Sequence, residues 1–158
     1  MKTKTSIRLT AAVIAATLTP FAVAANGEAK SSVLQLSHIQ KMNAKCLDHA
    51  RKSKNEVAIA IYDQGGILLS FVQTDAAAPA IGEVARWKGT SAAYYRTATA
   101  KTAEWGIPSA PKIATVQGGL PLFSSDGQPL GGIGVSGAPP EFDEECAALA
   151  TQAAGLRN

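Results

Sequence analysis

The sequence predicts an α+β domain in which an antiparallel sheet of about five strands is flanked by helices. Two hairpin signals support this fold class: the apolar runs 57–62 and 67–72 enclose a glycine-containing turn, and Asp126-Gly127 separates two further apolar runs. The third observation is that helical patterns precede, separate and follow the hairpins. Strands that pair as hairpins form antiparallel sheets, and the helices must then bury their apolar faces against that sheet.

The start of the chain has the three parts of a secretory signal peptide. Three basic residues stand within the first eight positions, an apolar run covers 9–18, and Ala-Val-Ala at 22–24 is a cleavage signal. The apolar run is shorter than the roughly 20 residues that a membrane-spanning helix needs. We therefore predict a signal peptide at 1–25, one domain at 26–158, no membrane span, and a periplasmic or secreted protein.

The charge balance argues against a nucleic-acid partner. The full chain carries 15 basic and 12 acidic residues. Removal of the three basic residues of the leader leaves 12 basic residues against 12 acidic ones, so the excess positive charge belongs to the leader. A near-neutral domain lacks the basic surface that binds the phosphate backbone.

The first half of the domain is predicted to form a helix, a hairpin and a second helix. Apolar residues at helical spacing indicate a helix over 38–53. The runs 57–62 and 67–72 are the arms of the first hairpin. The second helix is predicted over 80–98, because the preceding proline suits a first helical turn, and a further helical piece extends to residue 105.

The second half is predicted to contain a strand, a hairpin and a last helix. Gly106 and Pro108 end the preceding helical pattern. The apolar run 113–117 is predicted to be a strand, and the hairpin around Asp126-Gly127 follows it. The last helix is predicted over 141–154, where acidic residues in the first turn suit the positive end of the helix dipole.

Glycines interrupt the second arm of the C-terminal hairpin. Gly132 and Gly134 alternate with Ile133 and Val135, which keep the arm apolar. Glycine within a strand indicates that something approaches the backbone closely, and a ligand, a helix and another subunit all remain open. We do not predict a phosphate cradle here, because the acidic start of the following helix would compete with a bound anion.

The two cysteines lie one in each outer helix. Cys46 belongs to the first predicted helix and Cys146 to the last. A disulfide between them suits an exported protein, and two separately buried thiols suit the sequence equally well. The sequence leaves both alternatives open.

Five motifs occur in chain order in the predicted domain. They are Ala60-Ile61-Tyr62-Asp63-Gln64-Gly65-Gly66-Ile67-Leu68, Asp75-Ala76, Lys88-Gly89-Thr90-Ser91-Ala92, Gly118-Gly119-Leu120-Pro121 and Gly132-Ile133-Gly134-Val135-Ser136-Gly137. Together they resemble the GlcG/HbpS haem-binding family over most of residues 35–155. Gln73-Thr74 departs from the usual Arg-Met of that family.

The resemblance implies a profilin-like α/β/α sandwich, haem as the bound cofactor, and assembly into homo-oligomers. Some members of the family are exported haem-binding proteins, and others stand beside glycolate-utilisation genes. With the leader, the resemblance favours an exported protein that sequesters or relays haem. The alternatives are an enzyme or sensor domain for a small glycolate-like acid, and an oligomeric structural or partner-binding module.

The two histidines are the candidate metal ligands. His38 and His49 are eleven positions apart on the first predicted helix, so they share nearly the same side of it. Imidazole is a common axial ligand of haem iron. The two residues should lie about 16 Å apart along the axis, so both cannot ligate one iron from the same subunit. The alternative is a pair of surface histidines beside a core helix.

Lys88 falls on the inward stripe of the second predicted helix, where a charge is costly unless it is paired. Asp63 and Asp75, at the ends of the first hairpin, are the predicted partners. We therefore predict either a structural Lys–Asp pair or a contact with a ligand carboxylate by these residues. A Schiff-base lysine has no further support in the sequence.

A threonine and several aromatic residues complete the candidate ligand-binding set. Thr99 resembles a threonine that is implicated in haem contact within the family. Trp87, Tyr94, Tyr95 and Trp105 make the same segment rich in aromatic rings, which either stack on a porphyrin or pack in a core or subunit contact. The sequence shows no Ser-His-Asp or Cys-His pattern, and leaves open whether the protein is an enzyme.

Overall fold

The computed structural model describes residues 33–158. The predicted signal peptide at 1–25 lies outside the described residues. The elements of the described part are α1 Leu36–Lys52, β1 Ala58–Asp63, β2 Leu68–Gln73, α2 Pro79–Tyr95, α3 Thr99–Ala103, β3 Gly119–Phe123, β4 Pro129–Ser136 and α4 Pro140–Ala153. Within this part of the chain, every helix is too short or too polar to cross a membrane.

The sheet is antiparallel, with the strand order β2-β1-β4-β3. Both predicted hairpins are confirmed: β1 pairs with β2, and β3 pairs with β4 through the turn at Asp126-Gly127. Gly127 has a φ of 84°, a conformation that glycine adopts without strain. Because helices flank this sheet, the predicted α+β class is also confirmed.

The sheet of the described residues has four strands, one fewer than predicted, because residues 113–117 do not form a strand. Side chains satisfy the backbone of this segment instead. The N–H of Ala114 donates to Ser91 Oγ at 2.8 Å, and its carbonyl accepts a hydrogen bond from Thr102 Oγ1 at 2.6 Å. The apolar character that suggested a strand reflects burial, since Ile113 is only 2% exposed.

The predicted helix over 80–98 is shorter than expected. Arg96 adopts a left-handed conformation with a φ of 51°, which ends α2 at Tyr95. The chain then starts the five-residue helix α3 at Thr99. A left-handed residue cannot continue a right-handed helix, so the predicted continuous pattern becomes two helices.

The alternation along β1 separates the two faces of the sheet. Ile59 and Ile61, with Val57 just before the strand, belong to the larger core, which α1 and α4 cover. Ala58 and Ala60 belong to a smaller core beneath α2. The molecule is thus a three-layer α/β/α sandwich, with α1 and α4 on one face of the sheet and α2 on the other.

The glycines of β4 allow α2 to lie directly on the sheet. A Cβ at Gly134 would lie 2.1 Å from the carbonyl oxygen of Ala85 and 2.2 Å from the N atom of Gly89. A Cβ at Gly132 would lie 2.4 Å from the N atom of Ala93. Of the three alternatives that the sequence left open, the close neighbour is the protein's own helix.

A disulfide joins the two helices of the other layer. Cys46 of α1 and Cys146 of α4 are bonded, with their Cα atoms 5.0 Å apart. Both residues are fully buried within the larger core. Of the two alternatives that the sequence left open, the disulfide is therefore present and the separately buried thiols are not.

Candidate functional site

A buried ion pair lies at the centre of the molecule, between α2 and α4. Lys88 Nζ donates to Asp143 Oδ2 at 2.8 Å and to the carbonyl oxygen of Val135 at 2.9 Å. Lys88 and Asp143 are 1% and 2% exposed. The predicted inward position and pairing of Lys88 are therefore present, but the predicted partners Asp63 and Asp75 are wrong.

Asp143 is the residue that sequence reasoning missed. Its Oδ1 accepts a hydrogen bond from the N–H of Ala138 at 3.1 Å, so the carboxylate also ties the loop before α4. Burial raises the pKa of Asp143 above its ordinary value, and the hydrogen bond from Lys88 opposes part of that rise. Asp143 neutralises the charge of Lys88 inside the fold. The Lys88 side chain therefore connects α2 to β4 and α4 through its two hydrogen bonds.

The two aspartates predicted to pair with Lys88 lie elsewhere. Asp63 Oδ1 accepts hydrogen bonds from the N–H groups of Gly65 and Ile67, at 2.9 and 2.8 Å, and so shapes the β1–β2 turn. Asp75 is exposed and lines a cleft of about 270 Å³ together with Arg51. A ligand role for either aspartate stays a prediction.

Thr99 and the two glycines of β4 are internal. Thr99 is fully buried, and its Oγ1 accepts a hydrogen bond from the N–H of Gly119 at 2.9 Å. This bond fixes the start of α3 on β3. Gly132 and Gly134 face α2, which fills the space beside their α-carbons. The structure gives all three a packing role, and their predicted ligand-binding role stays a prediction.

The two histidines lie toward opposite ends of the contact between α1 and α4. His49 stacks on Phe142 with ring centroids 4.5 Å apart, and its Nε2 lies 3.8 Å from Glu145 Oε2. His38 Nδ1 accepts a hydrogen bond from the N–H of Gln35 at 3.3 Å, which caps α1. The described residues contain no cluster of three or more His, Cys, Asp or Glu side chains suited to a metal ion.

The surface at the ends of α2 and α3 is rich in exposed rings. We call it the aromatic surface and define it as Tyr94, Tyr95, Trp105, Ile107 and Lys112. Tyr94, Trp105 and Ile107 are 46%, 44% and 47% exposed. Tyr95 and Trp105 meet edge to face, with ring centroids 5.7 Å apart. Three large apolar side chains this exposed, near the ends of two consecutive helices, indicate a candidate binding surface.

Hydrogen bonds hold the aromatic surface in shape. The hydroxyl of Tyr95 donates to the carbonyl oxygen of Pro111 at 2.7 Å. Lys112 Nζ lies 2.8 Å from the hydroxyl oxygen of Tyr94 and 4.2 Å from the centroid of its ring. These contacts fasten the long segment between α3 and β3 to the end of α2. Sequence reasoning found the rings but missed Ile107 and Lys112.

The concave features of the described residues are small and open. The cleft beside His38 has a volume of about 190 Å³ and is lined largely by the β3–β4 turn and the end of the chain. The cleft of about 420 Å³ lies along α4 and contains neither histidine. Enclosed ligand pockets usually measure about 300–1,000 Å³. Of these two clefts, only the one along α4 reaches that range, and neither candidate iron ligand lines it.

The layers and the sheet order define a profilin-like α+β sandwich domain. The family model described as "Haem degrading protein HbpS-like" matches residues 34–152. The chain belongs to this family, as its five motifs predicted.

Individual relatives agree with this assignment. Protein GlcG of Escherichia coli K12 is 33% identical over 95 residues, which cover 56% of this chain and 70% of that protein. A crystal structure of an HbpS double mutant from Streptomyces reticuli has a TM-score of 0.71 at 26% identity, covering 86% of this chain and 97% of that chain. A structure titled as a PduOC:heme complex has a TM-score of 0.74 at 24% identity and covers 79% of this chain and 97% of that chain, a likeness of fold.

Proposed function

We propose that this protein is an exported haem-binding protein that sequesters or relays haem, and that it binds the ring at the aromatic surface. Membership of the HbpS-like family is the observation that carries the proposal. The haem complex of the structurally similar PduOC domain supports it. The exposed rings of Tyr94 and Trp105 supply the apolar contact that a porphyrin face requires.

Different residues of the aromatic surface would contact different parts of a bound haem. Haem, when bound, supplies a flat apolar ring, two carboxylates and an iron ion. Trp105 and Ile107 bury part of the ring and exclude water from it. The ammonium group of Lys112 stands beside Tyr94, where it can donate to a carboxylate at the rim of the ring.

The histidines do not belong to this surface within one copy. His38 and His49 lie on α1, which covers the opposite face of the sheet from α2. His38 and His49 stay predicted iron ligands; a histidine that ligates the iron of haem bound at the aromatic surface must come from a neighbouring copy.

Trp105→Ala is expected to weaken hemin binding roughly two- to tenfold, because a lost aromatic stacking contact is worth about 0.5–1.5 kcal/mol. The measurement is a titration of residues 26–158 with hemin, followed at the Soret band. Trp87→Ala is the matched control: Trp87 is also exposed, at 36%, and lies on α2 outside the aromatic surface. Absence of saturable binding by the wild type would remove the haem proposal, and equal losses in both variants would remove the site.

The same titration addresses the predicted iron ligands and turnover. A ligating imidazole shifts the Soret band when it is lost, so His38→Ala and His49→Ala are compared separately. A Soret band that decays in the presence of a reductant together with dissolved dioxygen as the oxidant, but not without dioxygen, would show degradation of haem, and a stable band would show binding alone.

Export is expected from the leader, and the disulfide between Cys46 and Cys146 suits an oxidising compartment. When the full-length chain is expressed, the protein found outside the cytoplasm should therefore have the mass of a chain that begins near residue 26. A full-length mass in the cytoplasmic fraction would contradict this.

The small-acid alternative has lost its main support. It depended on Lys88 as the partner of a ligand carboxylate, and Asp143 occupies that position. A thermal-shift comparison of glycolate with hemin separates the two functions, because a ligand stabilises the native state by an amount that rises with the logarithm of its excess over the dissociation constant.

A further inference from the structure

The strand β2 is apolar but incompletely buried. Its sequence is Leu-Leu-Ser-Phe-Val-Gln, and none of its six residues is buried, whereas the first five residues of β1 are. Leu68 and Leu69 are 41% and 40% exposed. The helix α2 lies mainly over β4, β1 and β3. Both faces of β2 are therefore only partly covered by the described residues.

The outer backbone edge of β2 is open as well. The N–H of Thr74 donates to the carbonyl oxygen of Val57, so alternate residues such as Val72 bond to β1. The backbone groups of Phe71 and Gln73 accordingly point away from the sheet. No other described strand lies on that side, because β2 ends the sheet.

The opposite edge of the sheet is protected. In β3, Pro121 removes a backbone donor, and Phe123 forms a β-bridge with Arg157 of the C-terminal segment. By contrast, the segment 64–74 contains neither proline nor a charged residue. Native proteins usually block a free edge with such residues, so their absence at β2 indicates that this edge is paired in the working molecule.

We propose that β2 pairs antiparallel with β2 of a second copy around a twofold axis at Val72, which joins the two sheets into one of eight strands. This register places Phe71 of each copy opposite Gln73 of the other, and the outward backbone groups of both residues then form hydrogen bonds across the axis. It also avoids the bulge next to Leu69.

Charge favours a second copy as the occupant. A twofold axis brings identical residues together, and a neutral strand meets no like charge there. Next to Phe71 on α2, Arg86 lies over its ring and is paired with Glu83. This neighbouring surface carries one charge of each sign, so it presents no net repulsion to its own copy.

The test uses charges at the centre of the proposed pairing, where Val72 faces Val72 of the second copy. Wild-type residues 26–158 should contain an even number of copies by light scattering. Val72→Lys and Val72→Glu should each show half that number or fewer, because like charges then meet directly. An equimolar mixture of the two variants should regain the wild-type mass through hetero-pairs, and Val72→Thr should keep it alone.

Hydrogen exchange provides a second readout, and the amide of residue 72, which bonds to β1 within one copy, is the reference that reports a folding defect. The amide of Phe71 should exchange at least about tenfold faster in Val72→Lys than in the wild type or the mixture. A monomeric wild type, a Val72→Lys variant of unchanged mass, or a mixture that stays dissociated would overturn the proposal. A Phe71 amide that stays protected in a monomer would overturn it too, since the chain's own residues would then cover the edge.

Discussion

Lys88→Met is expected to lower the free energy of unfolding by about 3–5 kcal/mol, because it leaves the carboxylate of Asp143 buried without its countercharge. Asp143 is 2% exposed, so water cannot replace the lost ammonium group. The carbonyl oxygen of Val135 loses its hydrogen bond from Lys88 in the same substitution. Urea unfolding at neutral pH, monitored by circular dichroism, measures the difference.

The double variant Lys88→Met with Asp143→Asn is the matched control. Both charges are then absent, and the asparagine can still accept the hydrogen bond from the N–H of Ala138. Replacement of both members of a buried ion pair often costs little, so we expect the double variant to recover most of the lost stability. Equal losses in the single and double variants would show that packing, and not the unpaired charge, causes the defect.

The sign of the pH dependence follows from the raised pKa of Asp143. Burial raises this pKa, and Lys88→Met removes the group that opposes the rise. A carboxyl group whose folded pKa is raised destabilises the protein above that pKa, and the penalty disappears below the unfolded value near 3.9. The deficit of Lys88→Met should therefore shrink as the pH falls from 7 toward 4.

Local patterns predicted the elements and the fold class. Asp126-Gly127 specified the second hairpin, because only a few residue types adopt the required turn conformation. The segment 113–117 was misassigned, because a buried apolar run looks like a strand until its hydrogen-bond partners are known. Those partners, Ser91 and Thr102, belong to separate helices that the run itself does not reveal.

The glycines that alternate with apolar residues in β4 were an ambiguous signal in the sequence, and the structure explains them. Gly132 and Gly134 face α2, while Ile133 and Val135 fill the larger core. One face of the strand thus requires the smallest residue and the other requires bulk. The sequence indicated a close approach, but the approaching helix was one of three candidates.

The candidate site was predictable only in part. Lys88 stood out because a charge on an apolar stripe must be paired. Its partner is 55 positions away, and the carboxylate of Asp143 also suited the dipole at the start of α4. Lys88 had nearer aspartates as candidate partners, and Asp143 was already explained by the helix dipole. Nothing in the sequence therefore favoured a pairing of Lys88 with Asp143. Lys112 lies in an irregular segment, where no periodicity reveals that it would meet Tyr94.

Removal of the disulfide is expected to lower the free energy of unfolding by about 4 kcal/mol. The bond joins residues 100 positions apart, and closure of a loop of that length in the unfolded chain corresponds to about 4.7 kcal/mol of entropy. Small vacancies from Cys46→Ala with Cys146→Ala add to the loss, while residual structure in the unfolded chain reduces it. Urea unfolding of the double variant measures the effect.

The reduced wild type separates the covalent bond from packing. It keeps both sulfur atoms in the larger core, so its loss of stability reports the bond itself. We expect reduction to cause most of the loss seen in the double alanine variant. If the reduced protein is as stable as the oxidised one, the connection between α1 and α4 depends on the side chains around Cys46 and not on the bond.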